Sequence, residues 1–404
     1  MDGSTQPQKA QTGPRWNLLL LLMAMTAIGP TTLNILVPAI PALTRRLGAD
    51  GATVQFTVSV FLLALAGGQL AMGPLSDRFG RRPVLLAGLA LTALASLLPF
   101  AAPNVTGLVV ARILQAVGAA AGIVIGRAII RDLFERDRAA AMIGLVATVM
   151  VVVPSAGPLI GGVLDTAFGW EAIFLFTAVT SLAVLAWAAV TLPETRGLNA
   201  APGLQAGFMR DLRALSISRN FNGYILIATF GSGTFFAFLG GSPHVAVTSM
   251  GLTSAEYGLW FAASSLGYML GNYVASQLSP RFGIDRLILW GIGFETVGVI
   301  AAVALAWAAP GGGPMIVFAP QSLISFGNGL LLPGAIAGAV SVRPQAAGTA
   351  AGITGFAQMT LGAAMVQYGG WLLAGAPSAL PLALLMAALV LALIASYALL
   401  ERRT

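Results

Sequence analysis

GPLSDRFGRRPVLLAG, residues 73–88, places Asp77, Arg78, Arg81 and Arg82 within six positions of a chain otherwise poor in charge. The stretch has a second copy. LSDRFGRRPVLLAG at 75–88 aligns without a gap on LSPRFGIDRLILWG at 278–291. Leu75 pairs with Leu278, Ser76 with Ser279, Arg78 with Arg281, Phe79 with Phe282, Gly80 with Gly283 and Gly88 with Gly291, each 203 positions apart. Half of the 404 residues is 202, so the chain reads as two halves of one design. A loop that returns on the same side after six membrane crossings makes this a parallel repeat, related by an axis along the membrane normal.

The crossings follow from composition. Hydrophobic residues make up 57% and charged residues 9%, with a mean hydropathy of +0.87, whereas a soluble domain carries about 25% charged residues. Apolar runs of roughly 20 residues suit a hydrocarbon core about 30 Å thick. Twelve are read, at 16–42, 53–75, 83–102, 105–130, 139–164, 170–193, 221–245, 255–279, 285–308, 314–340, 346–372 and 377–400. Their Leu/Ala/Val/Gly blocks lack the alternation of barrel strands, so the spans are helices. The fold class expected is an all-α membrane protein: twelve transmembrane helices in two six-helix bundles related by a pseudo-two-fold axis.

The domain layout expected is a cytoplasmic tail at 1–15, a bundle at 16–193, a cytoplasmic linker at 194–220 with a short amphipathic helix, a bundle at 221–400 and a tail at 401–404. The first run is too long for a signal-peptide core and has no small-residue cleavage site after it. With no cysteine in the chain, disulfides, thiolate metal sites and cysteine nucleophiles are excluded.

With the N-terminus in the cytoplasm, 17 of the 21 Lys and Arg residues fall on the cytoplasmic side, Arg45 and Arg46 fall outside, and Arg112 and Arg127 lie within spans. This is the asymmetry of the positive-inside rule, and it puts both termini in the cytoplasm. Loop arginines facing anionic headgroups account for the net charge of +7, so membrane lipids are expected partners and nucleic acid is not.

The opening stretch closely resembles the loop between the second and third helices of the major facilitator superfamily, with Gly73, Asp77, Arg78, Gly80, Arg81 and Arg82 on its pattern. Glycines permit a tight turn, Asp77 suits a facing helix N-terminus, and the arginines suit acids or headgroups. The resemblance implies a conformational latch; a plain positive-inside loop is the simpler reading. RILQAVGAAAG, with Arg112 and Gln115, resembles the family's fourth-helix motif. PSAGPLIGG, with Pro154, Gly157, Pro158, Gly161 and Gly162, resembles the fifth-helix motif of its antiporters. GRAIIRDLF (126–134), FAFLGGSPHV (236–245) and AGTAAGITGFAQ (347–358) resemble the Bcr/CflA drug-resistance exporters. Glycines also recur on single helix faces: Gly118, Gly122 and Gly126; Gly267 and Gly271; Gly348 and Gly352. Such stripes serve either an interface that slides or static packing.

Intramembrane polar residues are where chemistry is sought. Asn34, Arg112, Gln115, Phe235, Phe238, Tyr268, Asn272, Asn328 and Gln358 are the expected lining of a substrate cavity, aromatic and amide groups suiting bulky, partly apolar ligands. Asn34 and Arg112 fall at similar depth on neighbouring helices and are candidates to meet. The resembling exporters commonly carry an aspartate where this chain has Asn34, and an amide releases no proton. Glu295, on the ninth span, and Asp165, at the outer end of the fifth, are the remaining proton-coupling candidates; for Glu295 a partner-bonded structural role stands beside proton transfer. His244, the one histidine, reads as a helix-end residue.

No phosphate-binding G-x-x-x-x-G-K-[ST] loop occurs, so energy must come from a gradient. The expectation is a secondary transporter of the bacterial inner membrane that exports small amphipathic, drug-like compounds in exchange for protons by alternating access. The alternative is an exporter or uniporter of a physiological metabolite without proton coupling. An intramembrane enzyme would need clustered acids, histidines or metal ligands, which isolated Glu295 and His244 do not supply. No cofactor or metal and a monomeric state are expected.

Overall fold

The computed structural model describes residues 16–134, 149–195, 208–343, 346–373 and 378–400, with isolated positions between them. The tails 1–15 and 401–404, linker residues 196–207, and Arg136 and Arg138 lie outside the described residues, as does the side chain of Pro154. Among the described residues there is helix and no strand. Twelve long helices stand among the described residues: α1 Trp16–Asn34, α2 Gly51–Phe79, α3 Arg81–Ala95, α4 Val105–Leu133, α5 Val149–Phe168, α6 Glu171–Thr191, α7 Arg219–Pro243, α8 Ser254–Phe282, α9 Ile284–Ala308, α10 Met315–Ser341, α11 Ala347–Leu372 and α12 Leu380–Tyr397. Nine candidate spans among the described residues are long and apolar enough to cross a membrane. A short helix, Phe208–Ser216, precedes α7.

The first span departs from the single run 16–42. Helix α1 stops at Asn34, and a 3-10 turn (Val37–Ala39) and a short helix (Ile40–Leu47) follow. Proline causes the break: Pro38 has no N–H for the Asn34 carbonyl and Pro41 none for that of Val37. At the other end of the molecule, Gly80 (φ 103°) and Gly283 (φ 77°) close α2 and α8 at the two copies of the repeated loop. Their N–H groups donate to the carbonyls of Ser76 at 3.1 Å and Ser279 at 3.0 Å. Only glycine enters this backbone region at little cost.

The repeat also governs packing. Helix α3 crosses α4 with Gly88 against Gly118, and α9 crosses α10 with Gly291 against Gly327. A Cβ at Gly88 would stand 2.8 Å from the Gly118 carbonyl oxygen, and one at Gly291 would stand 2.6 Å from that of Gly327. Lipid supplies no hydrophobic drive between helices, so close backbone approach of this kind holds the bundles together. Gly122 packs on Met25, Gly267 on Ser322 and Gly271 on Phe326, all within their own halves, whereas a Cβ on Gly348 or Gly352 would meet no other element within 4 Å among the described residues.

The halves meet where α5 lies along α8 and α2 along α11. Arg78, Arg81, Arg82, Arg131, Arg281 and Arg286 gather at one end of the helices, hereafter the basic end. The hydrogen bonds between halves lie toward the opposite end. There Ser254 Oγ reaches Asp165 Oδ2 at 2.5 Å and the Pro38 carbonyl at 3.1 Å. The Ala255 N–H donates to Thr166 Oγ1 at 3.0 Å, and Gln367 Nε2 donates to the Ala52 carbonyl at 3.0 Å. These bonds form a seam that holds the halves together at that end.

Candidate functional site

A cavity of ≈ 330 Å³ lies between the halves. Six of the expected residues line it: Asn34, Phe235, Tyr268, Asn272, Asn328 and Gln358. Gln69 and Ile336, both toward the basic-end halves of their helices, line it too, which directs the cavity away from the seam. No Asp, Glu, Lys, Arg or His stands among the described lining residues. Among the described residues, three buried polar atoms on the lining have no hydrogen-bond partner: Asn34 Oδ1, Ser155 Oγ and Asn328 Oδ1. Buried polar groups are normally satisfied, so these atoms are where a guest offering donors gains most. Asn34 is held in place by its own Nδ2, which donates to the Pro30 carbonyl at 2.8 Å. Asn272 does the same to the Tyr268 carbonyl at 2.9 Å.

Arg112, Gln115 and Phe238 are not part of the lining. Arg112 is 1% exposed and points between helices. Its Nη1 donates to the Thr32 carbonyl at 2.8 Å and to Gln115 Oε1 at 3.0 Å, and the guanidinium sits 4.2 Å from the Phe61 ring centroid. Gln115 passes the network to Ser96 Oγ at 2.8 Å. The arginine therefore ties α4 to α1 and α2, and it bonds Thr32 rather than Asn34. Phe238 packs inside the second half, tilted against Phe261 and edge-on to Phe318.

The loop at 73–83 is bonded within the first half. Asp77 pairs with Arg81 at 2.5 Å, not with a helix N-terminus or the other half. The N-terminus of α3 is capped instead by Glu194, whose carboxylate accepts from the Arg81 N–H at 2.9 Å and the Arg82 N–H at 3.1 Å. Anions suit that position. Arg81 also reaches Asp132 at 3.1 Å, and Arg82 Nη2 donates to the Ala189 carbonyl at 2.7 Å. A Cβ on Gly80 would stand 2.6 Å from Glu194 Oε2, so the glycine makes room for the cap as well as the turn. Glu194 and Thr195, read as the start of a linker, are thus fastened to the first bundle.

The Major Facilitator Superfamily pattern matches residues 19–367. The chain belongs to this superfamily. It is 32% identical over 342 residues to Multidrug resistance protein D of Escherichia coli (strain K12), covering 84% of each chain. It is also 32% identical over 336 residues to the Chloramphenicol resistance protein of Pseudomonas aeruginosa, covering 81% of this chain and 76% of the relative. The crystal structure of a bacterial homolog to the human lysosomal transporter Spinster, in an inward-facing and occupied conformation, superposes with a TM-score of 0.74 at 16% identity, over 96% and 97% of the two chains. At that identity the likeness concerns the fold. This superfamily member is a multi-pass membrane transporter of small molecules, not an enzyme.

Helix α5 is one of the two helices of the first half that lie along the second. Gly157 packs on Asn34 of α1, Gly161 on the Ile35 backbone, Gly162 on the Ser254 backbone of α8, and the Pro158 carbonyl on Gly258. Asp165 lies at the seam beside Ser254, far from the basic end. His244 opens a π turn (His244–Ser249) at the end of α7. Glu295 is fully buried and faces the Thr234 hydroxyl. Sequence reasoning missed Gln69, Ser155, Ser232, Ser265 and Ser325 on the cavity wall. The available signal was polarity inside apolar runs, but a serine satisfied by its own helix carbonyl gives the same signal.

Proposed function

We propose that this chain exports uncharged, amphipathic small molecules from the cytoplasm of a bacterium across its inner membrane, in exchange for protons. The carrying observation is the cavity: aromatic and aliphatic walls, amides and hydroxyls, three unpaired polar atoms and no charged lining residue among those described. Charged guests need a counter-charge when taken from water, so this wall favours neutral molecules that bear hydrogen-bond donors. Relatives named for multidrug and chloramphenicol resistance support the class. The basic end is assigned to the cytoplasm because arginines accumulate on that side of membrane proteins. The cavity then faces the compartment from which cargo is collected.

The test is a susceptibility panel in a bacterial host stripped of its own exporters. Expression is expected to raise tolerance to neutral amphipathic antibiotics such as chloramphenicol and to leave tolerance to quaternary ammonium dyes unchanged. Protection against the cations alone would overturn the substrate class. Asn328→Leu, which removes one unpaired cavity oxygen, is expected to abolish most of the protection while the protein still reaches the membrane.

A further inference from the structure

Proton exchange needs a group that alternates between charged and neutral forms, and among the described residues the cavity wall offers none but the Tyr268 phenol. We propose that Glu295 carries the exchanged proton, from a buried site in the second half that touches the cavity through Thr234 and Asn328. This rests on the exchange reading above.

The geometry is a short polar path. Glu295 on α9 packs against Gly327 of α10, where a Cβ would stand 2.8 Å from Glu295 Cγ. The next residue on α10, Asn328, lines the cavity and donates from Nδ2 to Thr234 Oγ1 at 2.9 Å. Thr234 in turn donates to the Gly231 carbonyl at 2.7 Å and faces the Glu295 carboxyl. Glu295 is 0% exposed, and among the described residues no hydrogen bond of ordinary geometry reaches either of its oxygens, the facing Thr234 hydroxyl being turned to the Gly231 carbonyl. A carboxyl kept for structure would be bonded, since an unmade buried bond costs about 1–3 kcal/mol. The partner-bonded reading is left with the facing Thr234 hydroxyl alone, whose one proton is already given to the Gly231 carbonyl.

The internal repeat supplies an independent observation. The residue 203 positions before Glu295 is Thr92. Thr92 occupies the same place at the glycine crossing: a Cβ on Gly118 would meet Thr92, as one on Gly327 would meet Glu295. In the first half this place holds a satisfied hydroxyl, bonded to the Gly88 carbonyl at 3.1 Å and the Gln115 carbonyl at 3.3 Å. The fold accepts a small neutral side chain there. An acid in the second half is a departure that packing does not require, and ionisable residues inside membranes mark ion pathways.

The surroundings suit a proton carrier. Helix α10 has no ionisable residue and α12 only Tyr397, while on α7 Arg219 and Tyr224 lie at the basic end, as do Asp285 and Arg286 on α9 itself. On α8, Glu256 and Tyr257 lie at the seam end, Tyr268 lines the cavity, Tyr273 is exposed, and Arg281 lies at the basic end. No cation among the described residues faces the carboxyl, so the site as built holds the neutral acid. On release the O–H bond of Glu295 breaks, its electron pair stays on the carboxylate, and the proton passes to water entering from the cavity past Asn328. Thr234 has a single hydroxyl proton to give. Turning it from the Gly231 carbonyl to the carboxylate pulls on the bond that positions Asn328, so the amide facing the cargo depends on the charge behind it.

Purified protein in liposomes, with chloramphenicol as cargo and a pH dye inside, tests this. Wild type is expected to move protons when cargo is added and to concentrate cargo under a pH gradient. Glu295→Gln is expected to lose both while retaining exchange of labelled for unlabelled chloramphenicol. Thr234→Val leaves the acid in place and is expected to shift the pH midpoint of cargo-driven proton movement upward, because the carboxylate loses its donor; it serves where Glu295→Gln does not fold. Full proton coupling in Glu295→Gln, or an unmoved midpoint in Thr234→Val, overturns the assignment and leaves antiport standing. Chloramphenicol exchange in wild type without any proton movement overturns antiport and the assignment with it.

Discussion

Arg112 shows how much and how little one residue discloses. That an arginine sits inside the fourth span was legible, because its flanking motif and apolar setting are in the sequence. The direction of its side chain was not. Successive residues on a helix turn by about 100°, and one face of α4 reaches the cavity at Ile123 while another meets α1 and α2. Buried there, Arg112 makes bonds that a point-charge ammonium on a different stem does not reproduce. Arg112→Lys is expected to destabilise the protein by about 3 kcal/mol, as unmade buried bonds do. Heating detergent-solubilised protein and following the monodisperse fraction checks this. A variant as heat-resistant as wild type yet inactive would show that the charge acts in the transport cycle. The same limit applied to Asn34, whose depth was readable but whose bond, to the Pro30 carbonyl, runs along its own helix.

Among the elements, α5 separates two jobs on adjacent residues. Gly161 lies on the backbone of Ile35 in its own half, and Gly162 lies on the backbone of Ser254 in the other. The glycine and proline run announced close contacts, but sequence names no neighbour, and static packing and a moving interface share one small-residue pattern. The structure assigns one glycine to each. Gly161→Ala is expected to weaken the first bundle in every conformation and lower heat resistance. Gly162→Ala obstructs only the joined seam, and is expected to leave heat resistance near wild type while favouring separation of the halves at that end. Spin labels on the seam ends of α5 and α8 would report a longer distance for Gly162→Ala alone. An equal response of both variants would contradict the division. The break after α1 has a plainer origin, since Pro38 and Pro41 were visible but the apolar run hid where hydrogen bonding fails.

At the scale of the molecule, the twelve helices and their two-fold arrangement were the most legible features, because span length and a 203-residue offset are both written linearly in the chain. Which end is closed was not legible: a transporter's one sequence must support two arrangements of its halves. The seam favours the arrangement seen here. Ser254→Ala removes the hydroxyl that bonds both Asp165 and the Pro38 carbonyl, and about 1 kcal/mol per lost bond is enough to raise the separated population several-fold. The spin-label pair measures that shift; an unchanged distance distribution would mean that backbone contacts alone hold the seam. One-sided access also bears on inhibition. A blocker seated in the cavity of this conformation has to arrive from the basic end, so on the proposed orientation it must first enter the cell and escape being exported. On the same proposed orientation, a binding protein raised against the opposite face has no such barrier: by clasping the surface around Arg45 and Arg46, across the joined ends of α5 and α8, it would stop the transport cycle without competing for the cavity.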